Sequence, residues 1–74
     1  MAKRPPITNR VRELREAHNA MSQAALAKAI GVTRQTVIAI EQGRYSPSLE
    51  SAFRISRVFE VGIEDVFGWD DSAT

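Results

Sequence analysis

The sequence predicts an all-α fold, a compact bundle of five short helices, and three observations carry that reading. Apolar residues recur at spacings of three and four along most of the 74 residues, the period of one helix face. Hydroxyl, amide and glycine residues fall where such helices would start and stop. Cysteine is absent, so no disulfide framework replaces a core, and the 43% hydrophobic content is enough to build one small core.

Residues 1–6 read as a basic arm, and Pro5-Pro6 prevents a helix from running further back. Ile7, Val11, Leu14 and Ala17 or His18 trace the apolar stripe of a first helix, with Thr8 or Asn9 as its cap. That helix ends at Asn19-Ala20-Met21. Ser22 caps a second helix over residues 23–30, rich in alanine, which halts at Gly31. Thr33 caps a third, running to Gln42 and closed by Gly43. Its Val37-Ile38-Ala39-Ile40 run suits a strand in isolation, but between a cap and a terminating glycine it reads as helix. Arg44-Tyr45-Ser46-Pro47 is a loop. Ser48 then caps a fourth helix whose inner face is Leu49, Ala52, Phe53, Ile55, Ser56 and Phe59, with Glu50 suiting the helix dipole. Gly62 caps a last short helix over residues 63–67. Phe53, Phe59 and Phe67 are expected in the core. One domain over residues 7–68 thus lies between the arm and an acidic tail, residues 69–74.

Formal net charge is only +1, but it is unevenly spread. Residues 1–44 hold eight Lys or Arg against three Glu, a net of +5, whereas residues 45–74 hold two Arg against six acids, a net of −4. Such a split suits binding of a polyanion by one face. No apolar run exceeds four residues (24–27 and 37–40), which excludes a membrane span or secretory core and leads to an expectation of a cytoplasmic protein. One histidine without cysteine makes a metal site improbable, and no cofactor is expected. No Gly-rich phosphate loop or nucleophile–base pair points to an enzyme.

The second and third helices, joined by a tight glycine turn, suggest a helix-turn-helix over residues 23–42. Counting from Gln23, two steeply crossing helices need a small residue at the fifth place, and Ala27 is there. The turn needs a positive φ at the ninth, filled by Gly31. Inward positions four, eight, ten, fifteen and eighteen are Leu26, Ile30, Val32, Val37 and Ile40, all apolar. A match at all seven places arises by chance about once in 10⁴ starting points at average residue usage.

Across residues 9–68 the chain resembles the phage Cro/repressor-like, or XRE, helix-turn-helix regulators, especially the small one-domain members. The resemblance rests on Arg12-Glu13-Leu14-Arg15, Ser22-Gln23 with Leu26-Ala27, Gly31-Val32-Thr33-Arg34-Gln35-Thr36-Val37 and Ile40-Glu41-Gln42-Gly43. Pro47-Ser48-Leu49 and Ile63-Glu64-Asp65-Val66-Phe67 also fit. The first connection, through Met21, is one residue longer than usual, and Ala25 and Gly62 replace the usual capping-box acid and polar cap. The resemblance implies a five-helix bundle, double-stranded DNA as partner, and base contacts from Arg34, Gln35 and Ala39. It also implies that Gln23 bonds the DNA backbone while buttressing the recognition helix, and that Glu41 pairs with Arg15.

The residues support such chemistry on their own. A major groove about 12 Å wide admits one helix, arginine pairs with guanine and glutamine with adenine, while the methyls of Ala39 and Ile38 suit thymine. At a helix N-terminus Arg34 opposes the dipole, a position mildly unfavourable for structure alone. Gln23, Thr33, Thr36, Gln42, Arg44 and Tyr45 bracket the groove-facing helix as phosphate contacts, and Lys3 and Arg4 of the arm add salt-sensitive affinity. Val61, Ile63, Val66 and Trp69 exceed what so small a core buries and are assigned to a homodimer contact. Two recognition helices would then meet half-sites of a palindromic operator, as in a repressor. The alternative is a partner-binding module, such as an antitoxin, whose acidic, hydrophobic end holds another protein.

Overall fold

Helix ends fall where hydroxyl caps and left-handed residues set them. The structure, a computed structural model, describes residues 5–73. The chain runs β1 (Ile7–Asn9), α1 (Val11–Ala17), α2 (Gln23–Ile30), α3 (Arg34–Glu41), α4 (Leu49–Val58), α5 (Ile63–Val66) and β2 (Phe67–Trp69), then one 3₁₀ turn at Asp71–Ala73. Lys3 and Arg4, assigned to a basic arm, lie outside the described residues.

Ser22, Thr33 and Ser48 each accept a bond from the backbone N–H three residues on, at 3.0, 3.3 and 3.1 Å. A cap of this kind contributes about 1 kcal/mol. Gly31, at φ +78°, and Gly43, at φ +72°, close α2 and α3 in the left-handed region. After α3 the N–H groups of Gly43 and Arg44 donate to the carbonyls of Ile40 and Ala39, both at 3.0 Å, the paired bonds of a Schellman motif. Glu60 does the same for α4 at φ +57°, without glycine's freedom. At α5 the Asp65 carboxylate accepts from the Gly62 N–H at 2.9 Å, but glycine has no side chain to return the bond, so the capping box is half made.

Five helices are present in the expected order, but α1 and α5 are shorter than expected and strands flank them. Ile7 begins no helical stripe. It belongs to a strand that pairs antiparallel with β2 in the register Ile7 with Trp69, Thr8 with Gly68 and Asn9 with Phe67. Beyond the ladder the Arg10 N–H donates to the Val66 carbonyl at 2.8 Å and the Asp70 N–H to the Pro6 carbonyl at 2.7 Å. Pro5-Pro6 favours an extended entry. Asn9 then ends the strand: its side-chain oxygen accepts from the Val11 N–H at 3.1 Å and its amide donates to the Ile40 carbonyl at 2.8 Å. The second of these bonds ties β1 to the C-terminal end of α3. Phe67, predicted as the end of the last helix, opens β2 instead.

Val11, Leu26, Ala27, Ile30, Val37, Ile40, Ile55, Phe59 and Val66 form the core, with Leu14, Met21, Val32, Val58, Val61 and Phe67 packed against it. The His18 ring stands edge-on to Phe59, 5.7 Å between centroids, and closes one side. Three expectations change. Leu49, 71% exposed, and Phe53, 51% exposed, do not reach the core: only one side of α4 is covered by neighbours, and Ala52, Ile55 and Ser56 occupy it. Val66, assigned to a dimer contact, is 1% exposed and wholly inside, because α5 packs it against the bundle.

Candidate nucleic-acid interface

The two helices of the turn present different faces of α3 to the core and to solvent. Val37 and Ile40 are buried, while Arg34, Gln35 and Gln42 are exposed on the opposite side. Thr36, Ile38 and Ala39 are half-buried between them. The turn is drawn tight by the Val32 N–H, which donates to the Ala27 carbonyl at 3.0 Å. Ala27, buried where the helices approach, leaves room for this.

A polar junction holds α3 in place. Glu41 accepts two bonds from Arg15 of α1, at 2.7 Å from Nε and 3.1 Å from Nη2. Its side chain is 5% exposed and that of Arg15 is 12%. Arg15 also donates through Nη1 to the Met21 carbonyl at 2.7 Å, tying in the first connection. The hydrogen bond to Glu41, reinforced by its charge, raises the Arg15 guanidinium above its ordinary pKa. Gln23 at the start of α2 donates to Glu41 Oε1 at 3.1 Å, and its own Oε1 lies 3.4 Å from Arg34 Nη2. From α1 to the outward arginine of α3 there is thus a continuous chain of polar contacts.

A cleft of about 470 Å³ opens over this junction, with Arg12, Gln23, Arg34, Ile38 and Gln42 in its lining. Its walls combine guanidinium and amide donors, groups suited to phosphate oxygens and base edges.

A helix-turn-helix family model matches residues 11–66. The chain belongs to this family. Among curated relatives it is 51% identical over 63 residues to an HTH-type transcriptional regulator of Methanocaldococcus jannaschii, covering 85% of this chain and 94% of that protein. It is 52% identical over 59 residues to one of Bacillus subtilis, covering 80% and 88%. Among solved structures it is similar to the restriction-modification controller protein C.AhdI of Aeromonas hydrophila, with TM-score 0.68 and 30% identity over 76% of this chain and 80% of that one. The P22 c2 repressor in complex with a synthetic operator gives TM-score 0.70 and 25% identity over 74% and 82%. This is a small XRE-type regulator of transcription that binds DNA, and not an enzyme.

In this helix-turn-helix regulator the residues assigned to base contact, Arg34, Gln35, Ile38 and Ala39, share the outward side of α3. Those assigned to phosphates are distributed around it. Gln23 lies in the junction, and the Thr33 and Thr36 hydroxyls are 3.1 Å apart at the start of α3. Gln42 is exposed in the cleft lining, and Arg44 and Tyr45 are exposed in the loop that the Schellman turn directs away from α3. Arg12, absent from the contacts expected from the sequence, is a further guanidinium at this cleft. It lines the cleft one turn before Arg15 and is ion-paired with Glu16 at 3.1 Å on the surface. Its spacing of three from Arg15 on one helix was the available signal.

Proposed function

We propose that this regulator is a repressor that binds a palindromic operator as a homodimer, with α3 in the major groove. Arg34 and Gln35 meet base edges through hydrogen bonds, Ile38 and Ala39 through methyl contact, and Gln23, Thr33, Thr36, Gln42, Arg44 and Tyr45 hold the flanking phosphates. One observation carries the reading: an outward arginine and glutamine on a helix whose inner end is anchored by a buried ion pair, so that the readers are held before DNA arrives. The P22 c2 repressor, solved with an operator, supports the mode of docking. Half-sites about 34 Å apart, or a multiple, suit a two-fold dimer. Ile63 and the 63% exposed Trp69 remain on the surface for such a contact, and Val61 contributes only an edge.

Selection from random duplexes at moderate salt tests this directly: a two-fold symmetric motif is expected, and no enriched motif refutes it. Arg34→Ala should relax preference at one base pair of each half-site. Arg44→Ala should weaken all sequences alike and flatten the salt slope by about one unit. Equal effects of both variants on matched and scrambled duplexes would contradict these roles.

A further inference from the structure

Side chains unused by the DNA-facing side fall along one strip. On α4, Leu49, Phe53 and Arg57 stand at i, i+4 and i+8, a single row about 12 Å long. Leu49 also lines an apolar cleft of about 280 Å³ with Ile7, Pro47, Ala52, Ile63 and Phe67. Phe67 and Trp69, two apart on β2, share one face of the ladder with Ile7, the strand partner of Trp69, and both Ile7 and Phe67 line that cleft. Asp71 follows two residues later. The strip therefore runs from a cation, through apolar surface, to a carboxylate. Arg57 and Asp71 are exposed, and among the described residues neither side chain has an ion-pair or hydrogen-bond partner. Arg57 is also one of only two cations in a C-terminal half of net charge −4.

A two-fold axis through the middle of such a strip lays it on a reversed copy of itself. Phe53 then meets Trp69, and the cationic end of each copy meets the acidic end of the other. An axis through either end would oppose Arg57 to Arg57, or Asp71 to Asp71, and leave the apolar middle in water. We propose that a second copy of this chain docks antiparallel along this strip, with Arg57 of each protomer paired to Asp71 of the other. The inference rests on the homodimer reading and adds to it the surface, the register and the ionic contacts that select the register. The apolar middle supplies affinity, and the two rim pairs reject other alignments.

Sedimentation equilibrium of the full chain tests it, with circular dichroism to verify helical content. Arg57→Glu and Asp71→Arg should each raise the dimer dissociation constant about tenfold at about 50 mM salt, because two symmetric attractions become repulsions. The effect should shrink at about 500 mM salt. The double exchange, R57E with D71R, should return the constant to within about threefold of the native one. Single variants that dimerise as the native chain does, or a double variant no better than the singles, would overturn the register and leave the homodimer standing. A chain monomeric at every concentration and on operator DNA would overturn both.

Discussion

The polar junction and the apolar strip solve opposite problems. At the junction the buried charged and polar groups are satisfied by this chain: Glu41 takes three bonds from Arg15 and Gln23, and no buried side-chain nitrogen or oxygen among the described residues lacks a partner. Along the strip, Leu49, Phe53 and Trp69 stay more than half exposed, and none of the described residues covers them. The difference teaches that the side proposed to meet DNA is organised in advance by the protein itself, whereas the strip's apolar side chains are left in solvent by the protomer. A buried ion pair of this kind adds little net stability over a hydrophobic replacement of similar size, but removing one partner strands the other at high cost.

The sharpest way to break the comparison is Glu41→Ala. It strands the Arg15 guanidinium in a largely buried site and should cost about 3 kcal/mol in urea unfolding, at every protein concentration. A loss below about 0.5 kcal/mol would mean that the junction does not hold α3. Gln23→Ala removes the bridge from Glu41 to Arg34 and should cost about 1 kcal/mol of stability. It should also weaken operator binding in gel-shift titration. Thr33→Ala removes the cap of α3, again at about 1 kcal/mol, visible as a lower unfolding midpoint with unchanged m-value. The smallest effect on the protomer is expected at the strip. Leu49→Ser should change unfolding free energy by less than about 0.5 kcal/mol in the monomer, yet reduce self-association in sedimentation. If it instead destabilised the monomer as a core substitution does, by about 2 kcal/mol or more, the strip would be part of the fold and the contrast would fail.

Much of the candidate interface was legible in the sequence because its rules are local. Ser22, Thr33 and Ser48 act within three residues of themselves, and Gly31 meets a backbone demand at its own position. The pairing of Arg15 with Glu41, implied by family resemblance, is present in the structure. Arg12 was passed over because its place beside Gln23 and Arg34 depends on how α1 crosses the other helices. Phe53 misled for a related reason. Its spacing from Leu49 matches a buried face, but period alone does not say how wide a stripe the neighbouring helices cover.

By itself the sequence determined the order of the five helices and the ends of α2, α3 and α4, the glycine turn between α2 and α3, and the division of α3 into inward Val37 and Ile40 and outward Arg34 and Gln35. Each follows from interactions a few residues long, which composition and spacing express directly. Tertiary structure alone decided that Ile7 joins a strand, since its partner Trp69 is about 60 residues away and a ladder bond has no local signature. It likewise decided that Val66 is covered and Leu49 is not, because burial depends on which surfaces meet, and that is known only once the helices are packed.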